Sequence, residues 1–309
     1  MGLVEHADLE AVIEALRIDI DRNLQAKIRS RADRLLLEKA LKGGKRLRPI
    51  LLLLVFKALN GKDYQKALDV AAALEIAHSA SLVHDDIIDI DTKRRGGLSL
   101  WRQLGVGKAL LQGHRMINFA FDTVLEKGID IARIFVDAWD MASKGILDEF
   151  VSQFKPSIGR YMLLIREKTA SLFEAAAHAG ALPSETDHET MEKMKRYGLE
   201  IGIAYQLADD LGEIIHFKQH GRIAYLLGDV RQRFLRALIS SKTGHFNWLI
   251  FSISPKTPSE GFLMKEIVSR VVMARSIIRD TKIPNTSYKA LLEGLPMYYV
   301  KQILRESIK

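Results

Sequence analysis

The chain has 309 residues, 48% of them hydrophobic, a net charge of +8 and a pI of about 9.5. It contains no cysteine, which excludes disulfides, thiolate metal sites and cysteine nucleophiles. The positive excess favours anionic partners such as phosphates, but the basic residues are dispersed, and no interleaved aromatic and basic pattern points to nucleic acid.

Leu9, Ile13, Leu16 and Ile20 open the chain with a helical stripe. The first twenty residues are acidic early and lack the basic region of a signal peptide. "PILLLLVF", Pro49 to Phe56, is the purest apolar run and is far too short to span a bilayer. The expectation is a cytoplasmic protein without a transmembrane segment. Breaks fall at "KGGKRLRP" (Lys42 to Pro49), "LNGKD" (Leu59 to Asp63), "RRGG" (Arg94 to Gly97), "LEKGID" (Leu125 to Asp130), "GALPSETD" (Gly180 to Asp187) and "SISPKTPSEG" (Ser252 to Gly261). None has the length or low complexity of a domain linker. Gly and Pro are scarce, at 21 and 7, and strand-like alternation is almost absent. The pattern predicts about ten to twelve helices in one all-α domain over residues 1–309.

The helix predicted from Tyr64 to Asp91 is apolar on most faces, with Ala71, Ala72, Ala73, Ala77, Ala80 and Ser81 in place of large residues. Those small residues either permit close helix packing or line an open channel. Near its end stand Asp85, Asp86 and Asp89. Like charges at this spacing repel in a helix. Either the group is a solvated helix end, or a divalent cation compensates it, and Mg²⁺ is commonly held by one or two carboxylates plus substrate phosphates.

The same spacing recurs in "IGIAYQLADDLGE", which supplies Asp209, Asp210 and Glu213 at the end of another apolar helical run. Two such clusters suggest opposing helices with metal between them. Basic residues accompany them: Arg94 and Arg95 just beyond the first, Lys45, Arg46 and Arg48 on the Gly-rich turn entering a helix at Pro49, and Lys168 with Thr169 in "REKTASLF". Arginine binds phosphate oxygens in bidentate fashion, and lysine acts as a point charge. Acids and cations together describe a site for diphosphates.

"GGKRLRP", "EIAHSASLVHDDIIDIDTKRRG", "KTASLF" and "GIAYQLADD", in this order and approximate spacing, resemble the trans-polyprenyl diphosphate synthases. The resemblance covers most of the chain to about Asp210. It implies a helical bundle of the isoprenoid-synthase type around a deep central cavity, and a homodimer or a heterodimer with a homologue. It also implies a reaction in which an allylic diphosphate ionises with the help of three Mg²⁺ ions and isopentenyl diphosphate attacks the cation. By position, Asp85, Asp86, Asp89, Asp209, Asp210 and Glu213 would hold metal. Lys45, Arg48, His78 and Arg95 match the isopentenyl diphosphate site. Arg94, Lys168, Thr169, Gln206 and Lys218 match the allylic side. Asp85, Asp86, Lys168 and Asp209 would be the catalytic group, and Leu74, Ala77, Ala80 and Ser81 the wall that sets product length. Ala80 and Ser81 are small where short-chain family members carry aromatic residues, so the expected product exceeds fifteen carbons and reaches about twenty to thirty or more.

The chain departs from the family after the first motif and again at the second. Glu213 stands where the family usually has Asp. The stretch after it, "IIHFKQHGRIAYLLGDVRQR", lacks the usual Gly-Lys and Gly-Ser-Asp pattern. Two readings follow: a functioning synthase with a divergent second metal site, or a regulatory or binding subunit that pairs with an active homologue.

Overall fold

The computed structural model describes residues 2–151, 157–184, 186–220 and 258–307. Among them stand twelve α-helices: α1 (Gly2–Ile28), α2 (Arg34–Leu41), α3 (Leu47–Ala58), α4 (Tyr64–Ile88), α5 (Leu100–Leu104), α6 (Val106–Leu125), α7 (Ile129–Val151), α8 (Ile158–Ile165), α9 (Ser171–Ala181), α10 (His188–His220), α11 (Pro258–Arg279) and α12 (Thr286–Ser307). A π-helical turn, Arg166–Ala170, joins α8 to α9, and a short β-hairpin pairs β1 (Lys93–Arg94) with β2 (Gly97–Leu98). The all-α expectation and its helix count hold. The chain forms two compact units, one of Met1–Asp137, Ala175–Glu192 and Ile283–Leu291, the other of Ala138–Glu174, Lys193–Lys282 and Leu292–Lys309.

The core of the first unit follows from α3, apolar all round, and α4, apolar on most faces, the pattern of buried helices. In α3, Ile50 through Phe56 are almost wholly buried. The helix begins at Leu47, two residues before Pro49, because a proline in the first turn needs no N–H. Helix α4 starts behind Asp63, whose Oδ1 accepts from the Lys66 N–H at 2.8 Å. Small residues along α4 admit its neighbours, and α6 packs along it more extensively than any other helix.

Helix α4 ends at Ile88, three residues before the expected Asp91. The Asp91 N–H bonds to Asp86 O at 2.9 Å and the Ile90 N–H to Ile87 O, with Ile90 at φ 57°. This is a Schellman ending with isoleucine in the left-handed position that glycine usually takes. Acid at a helix C-terminus opposes the helix dipole, and Asp85, Asp86, Asp89 and Asp91 all lie there.

Asp69 of α4 ties this unit together. It meets Lys27 at 3.0 Å, Asn23 at 3.1 Å and Lys127 at 2.7 Å. Burial pushes its carboxyl up, but these three partners outweigh burial and hold it down at about 2. The folded value lies below the unfolded value of about 3.9. The stabilisation is therefore full above the unfolded value and is lost as pH falls toward the folded one. Asp69→Asn is expected to cost roughly 2 kcal/mol near neutral pH and to flatten the loss of stability on the acid side. Urea unfolding at neutral and acid pH checks this. An equal loss at both pH values would show that packing, and not the charge, sets the effect.

In the second unit, Ile203, Leu207 and Leu211 of α10 pack with Leu263, Ile267 and Val271 of α11 and Val300 and Ile303 of α12. Helix α10 runs tight against the π turn: a Cβ at Gly202 would lie 2.6 Å from Ala170 Cα. The turn is anchored by Lys144 of α7, 2.5 Å from Glu167, and by Ser171, whose hydroxyl donates to Glu167 O at 2.6 Å.

Candidate active site

In the first unit the acid block and the base block face each other at the end of α4. The hairpin turn places Arg95 and Gly96 at φ 50° and 79°, the backbone of a two-residue I′ turn. "RRGG" is thus a hairpin and not only a break. The turn separates the two arginines. Arg94 pairs with Asp86, its Nε at 2.6 Å from Oδ1, and with Asp91 at 3.2 Å. Arg95 turns the other way and donates to Ala40 O at 3.5 Å and Lys42 O at 3.2 Å. A cavity of about 330 Å³ lies here, lined among others by Lys39, Lys42, Ser79, Asp86, Arg94 and Arg95.

Asp86 is 2% exposed. Burial raises its pKa above the ordinary carboxylate value, Arg94 opposes this, and Asp91 and Asp89 add to the rise. Asp85 is half-buried and Asp89 exposed. Two turns earlier, His78 Nε2 lies 3.0 Å from Arg48 Nη1. Arg48 can only donate, so Nε2 accepts and His78 is neutral. Its pKa sits well below the ordinary value because of burial first, and then repulsion from Arg48, Arg95, Arg94 and Arg46. Lys45 is half-buried on the turn before α3. The structure thus brings Arg48, His78, Asp86, Arg94 and Arg95 around one end of α4, within a single unit.

In the second unit, α10 carries the other acidic motif. Asp209 and Glu213, four apart and half-buried, share a face. Asp210 is fully buried and accepts from Gln206 Nε2 at 2.9 Å and from the Tyr161 hydroxyl. Gln206 in turn accepts from Thr169 at 2.7 Å. This chain of bonds joins the motif to the π turn that holds Lys168, itself half-buried. Single π turns within helices occur often at functional sites. Lys218 falls in the last turns of α10, where side chains lie outside the described residues, as does the "LGDVRQR" segment.

Sequence reasoning missed Glu75 and Tyr161, and it named Arg46 only as one of the basic residues of the Gly-rich turn. Arg46 is 7% exposed and spends its donors on Asp21, Glu75 and Leu41 O. Glu75 is a buried acid in an apolar run, and that misplacement was the available signal. Tyr161 orients Asp210, and nothing in the sequence pattern marks it.

Both motifs offer oxygen donors only, the chemistry that suits Mg²⁺. Among the described residues no group of three or more His, Asp or Glu side chains is gathered as a metal cage. Mg²⁺ needs no such cage when phosphates and water complete its shell, so the carboxylate pairs on α4 and α10 fit it.

An all-α chain with one Asp-rich motif at the end of α4 and another within α10 fits the prenyl-chain synthases. The family model for polyprenyl synthetase matches residues 33–224, a span that includes both motifs. The chain belongs to the polyprenyl synthetase family. It is 37% identical over 174 residues to geranylfarnesyl diphosphate synthase of Methanosarcina mazei, covering 56% of this chain and 59% of that one. The chain spans less than two thirds of the length of the first curated relatives it matches. Among solved structures, geranylgeranyl pyrophosphate synthetase of Pyrococcus horikoshii superposes with a TM-score of 0.75 at 26% identity, over 96% of this chain and 99% of that one. A polyprenyl synthase of Caulobacter crescentus, complexed with calcium and isoprenyl diphosphate, has the same fold, with a TM-score of 0.76 at 21% identity, over 94% and 97% of the two chains. No described helix is long and apolar enough to cross a membrane.

Proposed function

We propose that the chain is a Mg²⁺-dependent trans-prenyltransferase that condenses isopentenyl diphosphate with an allylic diphosphate, lengthening the prenyl chain by one five-carbon unit. The observation that carries this is the family match across both acidic motifs. Relatives named as geranylfarnesyl and geranylgeranyl synthases support a product longer than fifteen carbons. A homodimer, a cytoplasmic location and a single synthase domain over residues 1–309 go with this reading.

Mg²⁺, in three ions, would be held by Asp85, Asp86 and Asp89 and by Asp209, Asp210 and Glu213, and would offset charge on the leaving diphosphate. Arg94, Lys168, Thr169, Gln206 and Lys218 would bind the allylic diphosphate. Lys45, Arg48, His78 and Arg95 would bind isopentenyl diphosphate, with neutral His78 supplying a hydrogen bond and no charge. Fixed cations aimed at the developing charge stabilise the transition state more than the ground state.

The test is incubation of the purified chain alone with isopentenyl diphosphate, a labelled allylic diphosphate and Mg²⁺, followed by separation of products by length. No product at any Mg²⁺ level, with activity restored to an added homologue, would favour the regulatory subunit instead.

The opposed directions of Arg94 and Arg95 predict a division of substrates. Arg94→Lys is expected to raise KM for the allylic diphosphate, and Arg95→Lys that for isopentenyl diphosphate, each by about tenfold through loss of bidentate geometry. Equal shifts in both constants for either variant would refute the division.

A further inference from the structure

Glu75 sits in the middle of α4, one turn before His78, and is 2% exposed. Its Oε1 accepts from Arg46 Nη1 at 2.7 Å, and the same oxygen lies 3.9 Å from Arg95 Nη2. Arg46 also donates to Asp21 at 2.8 Å and Leu41 O at 2.9 Å, so its fork points into the protein. Its backbone is left-handed, with φ 56°, at the residue that caps α3. A Cβ at Gly44 would lie 2.0 Å from Arg46 Nη1 and 2.7 Å from Glu75 Oε1. The Gly-rich turn is therefore moulded on this buried ion pair. Lys45 precedes Arg46 directly, and Arg48 follows it by two residues, on the first turn of α3.

We propose that Glu75 is a positioning residue for the isopentenyl diphosphate cations: through Arg46 it sets the turn that bears Lys45 and Arg48, and through Arg95 it draws the hairpin to the same place. The inference rests on the function proposed above and deepens it. Arg46 and Arg95 both face this carboxylate and repel one another. A single buried acid shared between the turn and the hairpin sets both positions at once. Arg46 thereby serves as structure, while Arg48 and Arg95 belong to the isopentenyl diphosphate site proposed above. The allylic cation Arg94 is held by Asp86 and Asp91 instead, so the two substrates' cations have separate anchors.

Glu75→Gln separates this role from a purely structural one. Glutamine keeps an acceptor for Arg46 and removes the charge. The variant is expected to show a KM for isopentenyl diphosphate raised about tenfold or more, with the allylic KM and kcat changed less than about threefold. Arg46→Lys should give the same split, because one ammonium cannot serve Asp21, Glu75 and Leu41 O together. Calorimetric binding of isopentenyl diphosphate to wild type and both variants completes the set. Weaker binding in the variants supports the assignment even where turnover is too low to measure. Equal rises in both Michaelis constants, or unchanged binding in a folded variant, overturn it and leave the proposed function standing. A wild-type chain that neither binds nor turns over isopentenyl diphosphate overturns both. If Glu75→Gln does not fold, unchanged binding in Arg46→Lys is enough to overturn the role.

Discussion

Asp86→Ala is expected to lower prenyl transfer by about 10³-fold or more, while the melting temperature moves little. Two losses combine in this variant. The first acidic motif loses its most buried carboxylate, and Arg94 loses the partner that aims it. Stability is spared for a physical reason. Burial already penalises the Asp86 charge, as its raised pKa records, so its removal relieves a cost. Arg94, at 35% side-chain exposure, can rehydrate. Asp85→Ala should also abolish turnover by a similar factor, through the ligand alone. Asp91→Ala is the control. Asp91 is exposed and holds Arg94 from the other side at 3.2 Å, and exposed pairs contribute little; its loss should cost less than about tenfold. Steady-state kinetics with a thermal melt on each variant decides the matter. An Asp86→Ala protein that melts early in proportion to its lost activity would make Asp86 a folding residue and not a site residue.

The sequence made the helices of this site readable because their signals are long. Helix α4 announces itself through an apolar run behind Asp63, an N-cap whose bond is present in the structure. The sequence carries its end three residues too far because the acidic block continues past Asp89, and periodicity does not register a left-handed Ile90. The hairpin at Arg94 shows in the sequence only as a break. Its strands have two residues each, too few for alternation to show. The π turn at Arg166–Ala170 is invisible for a similar reason, since one wider turn shifts the helical phase only locally. At the site, Asp86, Arg94 and Arg48 could be named from motif and spacing, and His78 from the family resemblance. The part played by Arg46 could not. Three basic residues in "KRLR" look alike in sequence, and only the fold shows that the middle one is buried against Glu75 and Asp21.

The product should exceed fifteen carbons, and Ser81→Phe should shorten it. The growing tail is expected to leave the diphosphate grip along the face of α4 that bears Asp85. Residues at helical spacing before Asp85 on or near that face are Ser81, Ala77 and Leu74. Ser81 is half-buried, its hydroxyl turned back to His78 O at 2.8 Å, so a larger side chain there can enter the path of the tail. Ala80 differs. It is fully buried and lies one turn before His84, whose ring approaches Leu110 O of α6 at 3.3 Å. Ala80→Phe should therefore cost about 1–3 kcal/mol by overpacking, and it shortens the product only where the tail also reaches this side of α4. Each isoprene unit adds five carbons, and burying a methylene-sized group is worth roughly 0.8 kcal/mol, so elongation continues until a side chain blocks it. Small residues at both positions leave no such block close to Asp85. Chromatography of the products by chain length, beside a melt of each variant, tests the two faces together. A shorter product from Ser81→Phe with Ala80→Phe unchanged would confine the tail to the Asp85 face. A wild type that stops at fifteen carbons, or two variants with the wild-type product, would mean that the small residues of α4 serve close helix packing alone.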